Sequence, residues 1–158
     1  MAKDSIKQIT FNRRALHDYY IEEKFEAGIE LFGTEVKSLR QAAVNLRDAY
    51  CHIENGELFV RNMHISPYEK GNIFNRNPVR NRRLLMHRRE IRRLYAGVKQ
   101  DGLTLIPLQL YFKGALVKVE VALCRGKKQH DKRDSAAEAD ARREMARSLR
   151  EKNRYKEG

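Results

Sequence analysis

ALVKVEVALCRGKKQHDKR, Ala115–Arg133, is the stretch in which the chain changes character. Leu116, Val117, Val119, Val121, Ala122, Leu123 and Cys124 form an apolar, β-rich run that reads as a buried strand. The run stops at Gly126, which permits a bend or a close backbone approach. Beyond it Lys127, Lys128, Lys132 and Arg133 set four cations around one carboxylate, Asp131, an arrangement suited to an anionic polymer. A solvated domain edge leading into a linker produces the same local pattern. After this junction no residue set is large or apolar enough to fill a core. The expected organisation is therefore a folded body, residues 1–126, and a basic tail, residues 127–158.

Working outward, the whole chain shares the charge of the junction. Its 158 residues hold 33 Lys and Arg against 21 Asp and Glu, a formal net charge of +12 with pI near 9.9. Nucleic acid is the leading partner class, because a phosphate lattice releases its counterions when cations bind it. No apolar run approaches the roughly 20 residues that span a bilayer, and MAKDSIKQITFNRRA lacks the apolar core of a signal peptide. A cytoplasmic location without membrane association is expected. Cys51 and Cys124 lie in apolar contexts and read as reduced, buried thiols. His17, His52, His64, His87 and His130 lack metal-ligand spacing, so neither a zinc site nor any cofactor is expected.

Residues 2–10 read as polar and loose, and Phe11–Leu16 as a helical turn or an extended lead-in. His17–Phe32 has Tyr19, Ile21, Phe25, Ala27, Ile29 and Leu31 mostly two apart, the period of a half-buried strand, with Gly28 as a bend or bulge. Thr34 can cap a helix of about two turns with Val36, Leu39 and Ala43 on one face. AYCHI and ELFVRNM flank Asn55 and Gly56, a strong hairpin signal. His64–Arg83 is a long connection with a strongly basic second half, and Arg76, Arg80, Arg82, Arg83, Arg88, Arg89, Arg92 and Arg93, running from it into the next segment, are suited to clamping phosphates. A helix is expected over His87–Tyr95 with Gly97 as its stop. TLIPLQLYF is then a strand that Pro107 makes either an edge or bulged. Five or six strands with two or three short helices indicate an all-β fold, a small antiparallel barrel of the oligonucleotide-binding type.

The tail has a capping box in Ser135 and Glu138 and a narrow apolar stripe, Ala141, Met145 and Leu149. A helix of that length is marginal alone in water, so the tail is expected to be disordered or helical only when its arginines find phosphates.

Five motifs together resemble the small protein B family, the SsrA-binding proteins that partner transfer-messenger RNA in bacterial ribosome rescue. They are EEKFEAGIELFGTEVKSLR (Glu22–Arg40), HISPY (His64–Tyr68), NPVRNRRLLMHRREI (Asn77–Ile91), TLIPLQLYF (Thr104–Phe112) and GKKQHDKR (Gly126–Arg133). The resemblance implies a barrel that cups the elbow of the tRNA-like domain and stands in for a missing anticodon arm. It also implies a tail that enters the empty messenger channel of the small ribosomal subunit and folds there, so that absence of message is what is recognised. Elongation factor Tu is an indirect partner, through alanylated transfer-messenger RNA, and the protein is expected to act as a monomer.

Carried over by position, Asn12, Arg13 and His17 match the family's amino-terminal RNA- and ribosome-facing segment. Glu26, Leu85 and Lys118 match positions that bind transfer-messenger RNA. Lys118 suits a phosphate, Leu85 a sugar or base, and Glu26 base or ribose hydroxyls; an exposed lysine, a core leucine and an intramolecular ion pair are the structural alternatives. Lys127 and Lys128 join the RNA contacts, and His130, Asp131, Lys132 and Arg133 match the segment that meets the decoding centre, with His130 where the family commonly has tyrosine. Arg142, Met145, Arg147 and Lys152 are assigned to the messenger channel by location and charge. A nuclease would need clustered carboxylates or paired histidines. Glu22, Glu23, Glu26 and Glu30 have no histidine at useful spacing, and no enzymatic activity is expected.

Overall fold

The computed structural model describes residues 5–70, 75–128 and 139–147. Its chain divides into two units, Met1–Gly126 and Lys127–Gly158.

In the first unit, seven antiparallel strands run in the order β1 (Ile6–Phe11), β8 (Thr104–Lys113), β9 (Leu116–Gly126), β2 (Tyr19–Ile29), β7 (Arg82–Leu85), β5 (Glu57–Arg61) and β4 (Tyr50–Glu54). The sheet curls so that β4, at one edge, returns against β8 near the other. A two-stranded ladder of β3 (Val44–Asn45) and β6 (His64–Ile65) completes the strands. Three helices accompany them among the described residues, α1 (Arg13–Asp18), α2 (Gly33–Arg40) and α3 (Arg88–Asp101). The all-β antiparallel architecture is the one expected.

Alternation along β9 explains the layering. Val117, Val119, Val121 and Leu123 point inward to a core with Leu58, Val60, Leu84, Leu94 and Leu110, while Lys118 and Glu120 point outward. Farther along that outward face, Ala122 and Cys124 are buried with Ile106, Leu108 and Ala15 of α1. So α1 covers one end of the outer face and leaves the other open. Both cysteines are free and buried; burial raises both thiols, that of Cys124 to about 12.

The hairpin at Asn55–Gly56 is present, joining β4 to β5. Both turn residues have positive φ, 52° and 78°, the requirement of a tight hairpin turn that twists with its strands.

Several local expectations are revised. Residues 6–11 are not loose but form β1, because β8 offers its outer edge as a partner. The expected strand from residue 17 begins at Tyr19, since Asn12 caps α1 through its side chain. The irregularity in β2 falls between Ile21 and Glu23 rather than at Gly28. Of the two alternatives expected at Pro107 the bulge is the one present, between Pro107 and Gln109, and β8 lies interior to the sheet. Helix α3 runs past Gly97 to a left-handed Gly102 at φ 65°. Gly97 is inside because a Cβ there would lie 2.6 Å from Leu123 Cδ2.

Within the second unit, helix α4 spans residues 139–147, with the side chains of residues 140–147 exposed. Arg143 bonds Asp140 and the Ala139 carbonyl on its own helix. Ser135, Glu138 and Leu149 lie outside the described residues.

Candidate nucleic-acid interface

Strand register brings three of the singled-out residues together. Gly28 on β2 lies opposite Leu85 on β7 and opposite Lys118 on β9, and Lys118 in turn faces Tyr111 on β8. Glu26 is two residues back from Gly28 on the same face, opposite Glu120. Because strand side chains alternate, these groups form one patch on the open part of the outer sheet face. Leu85 is 45% exposed, so it is not a core leucine. Its inward neighbour Leu84 fills the core instead.

The electrostatics of the patch are set by Glu26. Tyr111 donates its hydroxyl to Glu26 Oε2, and Lys113 Nζ lies 3.3 Å from Oε1. The Tyr111 hydrogen bond is the main reason that the Glu26 carboxyl is held below its ordinary range; burial opposes it, and Lys113 and Lys118 assist. Glu26 is thus a fixed anion whose oxygens already accept two donors, and a carboxylate retains further acceptor capacity. The intramolecular ion pair weighed as its alternative role is present. Lys118 makes no ion pair among the described residues, which leaves its ammonium suited to a phosphate.

The amino-terminal candidates separate. Asn12 is buried, and its amide donates to the carbonyls of Pro107 at 3.2 Å and Leu46 at 3.4 Å while its oxygen caps Ala15. Its side chain therefore builds the site rather than facing a ligand. Arg13 and His17, one helical turn apart on α1, are exposed. His17 Nδ1 sits 2.8 Å from Asp18 Oδ1.

The arginine run is not one clamp. Arg82 is fully buried, with Nε 2.7 Å from Glu35 Oε2 and further bonds to the carbonyls of Met63 and Pro78. Arg80 reaches the same carboxylate through Nε and Nη2. Arg83 pairs with Glu30 and Glu57, and Arg93 with Glu23. Arg76 and Arg80 lie over the exposed Phe32 ring at 3.9 and 4.7 Å. A linear count of cations misses the acids that folding brings to them.

In the second unit Lys127 is half-buried and Lys128 exposed, while Arg142, Met145 and Arg147 lie on α4 with exposed side chains. His130, Asp131, Lys132, Arg133 and Lys152 lie outside the described residues. Among the described residues no helix is long and apolar enough to cross a membrane, and no cluster of His, Cys, Asp or Glu could hold a metal ion.

Sequence reasoning misses Tyr111 and Lys113 as parts of the patch. The signal is the short Gly114–Ala115 turn, which fixes the register that puts Tyr111 opposite Lys118. Tyr95 of α3, which lines the same groove as Leu85 and is exposed, reads in the sequence only as the end of the expected helix.

This architecture is similar to that of a solved chain from "tmRNA-SmpB: a journey to the center of the bacterial ribosome". The TM-score is 0.64 at 48% identity, covering 80% of this chain and 93% of the other. Among curated relatives, the SsrA-binding protein of Clostridium botulinum strain Hall is 59% identical over 144 residues, 91% of this chain and 92% of the relative. That of Clostridium beijerinckii is 60% identical over the same span and coverage. The SmpB protein family model matches residues 9–151. With a match over nearly its whole length, and with the motifs quoted above lying on that fold, the chain belongs to the SmpB protein family.

Proposed function

We propose that this chain binds SsrA, the transfer-messenger RNA, and delivers it to stalled bacterial ribosomes for trans-translation. The observation that carries this reading is the convergence of Leu85, Lys118 and Glu26 on one open sheet face in a chain of this family. An apolar contact, a cation without an ion-pair partner among the described residues and an ionised acceptor side by side can engage base or sugar, phosphate, and ribose hydroxyl together. A preformed sheet suits a folded RNA, whose shape it can match, better than a flexible strand. Arg13 and His17 extend the contact surface along α1.

Lys127 and Lys128 add to the RNA contacts, and the segment from His130 to Arg133 meets the decoding centre of the small subunit. The remainder of the tail, including Arg142, Met145, Arg147 and Lys152, occupies the empty messenger channel. The exposed basic face of α4 supports this, since an RNA-walled channel attracts positive charge. Elongation factor Tu joins through the alanylated RNA, and the protein works as a monomer that performs no catalysis of its own.

The test compares the full chain with a chain ending at Gly126. Both should bind transfer-messenger RNA more tightly than unstructured oligonucleotides, and only the full chain should support tagging on stalled ribosomes. Equal binding to single strands would remove the shape-recognition reading. Tagging by the shortened chain would remove the tail from the mechanism.

A further inference from the structure

A groove of about 800 Å3 opens between the β4–β5 hairpin, β7 and the first turns of α3. Its volume falls within the roughly 300–1,000 Å3 of small-ligand clefts. The floor is apolar, made by Ile53, Leu85, Met86 and Ile91, and the ring of Tyr95, 49% exposed, stands at its side. Leu85 belongs both to this floor and to the outer sheet patch, so the groove continues the RNA face.

We infer that this groove takes one unstacked nucleotide of the bound RNA, with Tyr95 as the platform on which its base lies and Arg88 and Arg92 as the cations for its flanking phosphates. The inference rests on the reading of this face as an RNA surface. Charge decides in favour of a nucleotide over an apolar protein side chain. Arg88 and Arg92, one helical turn apart on the rim, have no ion-pair partner among the described residues. Arg83, the third rim arginine, is already paired with Glu30 and Glu57. An apolar partner would have to bury two uncompensated guanidinium groups, whereas a phosphodiester matches them with paired hydrogen bonds. The hairpin turn at Asn55 and Gly56 adds exposed backbone at the other lip, where a base edge can bond. The shape-matching surface then acquires a position that senses a particular RNA conformation.

The chain contains no tryptophan, so Tyr95→Trp installs a single indole reporter, which is excited at wavelengths where the remaining tyrosines do not absorb. In the full chain carrying that substitution, indole fluorescence should be quenched by transfer-messenger RNA and, at millimolar concentration, by adenosine or guanosine 5′-monophosphate. Tyr95→Ala should weaken RNA binding by about 5- to 150-fold, the range of one base–aromatic stack. Because the Tyr95 ring is half exposed, melting should stay unchanged; if it falls, the indole signal decides alone. Unquenched indole in a complex that still forms by mobility shift overturns the inference while leaving RNA binding intact. Absence of any complex with the unmodified chain would instead overturn the reading beneath it. Quenching by whole ribosomes but not by the RNA would assign the groove to another surface and equally overturn it.

Discussion

Replacing Glu35 by glutamine isolates the buried ion network that ties α2 to β7. Glu35 is buried at the start of α2, where its Oε1 accepts the Phe32 backbone N–H at 2.9 Å, and its carboxylate meets both Arg80 and Arg82. Arg82 has no solvent exposure. Glutamine keeps the shape but leaves the Arg82 guanidinium without a counter-charge. Removing one partner of a buried pair typically costs about 3–5 kcal/mol, most of it the penalty of the stranded charge. Arg82 still donates to the Met63 and Pro78 carbonyls, so the lower end of that range is expected. For a body of this size such a loss lowers the melting temperature by on the order of 10 °C. The double variant Glu35→Gln, Arg82→Met should recover much of it, because the uncompensated cation is gone.

Acid should mimic the single substitution. Burial raises the Glu35 carboxyl, but hydrogen bonds from Arg80, the Phe32 backbone and Arg82, with the Arg82 charge, outweigh it and hold the group below its ordinary value near 4.5. A folded-state value below the unfolded one gives stability that is present above about pH 4.5 and lost as pH falls through the folded value. Urea melts of the body at pH 7 and at stepwise lower pH provide the measurement. A Glu35→Gln loss of less than about 1 kcal/mol at pH 7 would place the pair among surface-like contacts and refute the argument.

Other substitutions probe separate parts of the molecule. Gly97→Ala places a methyl 2.6 Å from Leu123 Cδ2, and overpacking there should cost about 1–3 kcal/mol in denaturant melts, although alanine is the better helix former. Tyr111→Phe removes the principal bond that depresses Glu26, so the Glu26 titration followed by carboxyl NMR should move up toward its ordinary range. An unmoved midpoint would deny that bond its role. Lys118→Gln should weaken transfer-messenger RNA binding and reduce the magnitude of its log–log salt slope by about one unit; an unchanged slope would mean that no phosphate lies there.

The strands are legible in the sequence where alternation and turn chemistry agree, as in the Asn55–Gly56 hairpin and β9. β1 is not, because Ile6–Phe11 is only weakly apolar and owes its order to the ladder it makes with β8. The end of α3 is misplaced for a related reason. Gly97 reads as a stop in one dimension, while in three it is the position at which helix and sheet come close enough to exclude a side chain. Resemblance to a family singles out Glu26, Leu85 and Lys118, but only strand register shows them as neighbours. Buried cations such as Arg82 look like ligand contacts until the acid that meets them, 47 residues away, is in view.

Asn12 has a further implication for the order in which the protein assembles. One amide links the entry to α1 with the Leu46 and Pro107 carbonyls, 34 and 95 positions along the chain. A helix of six residues has little tendency to persist unaided, so α1 should become protected from solvent hydrogen exchange only after the bulged strand and the segment before β4 have docked. The end of the molecule that presents Arg13 and His17 would then be the last to set and the first to loosen.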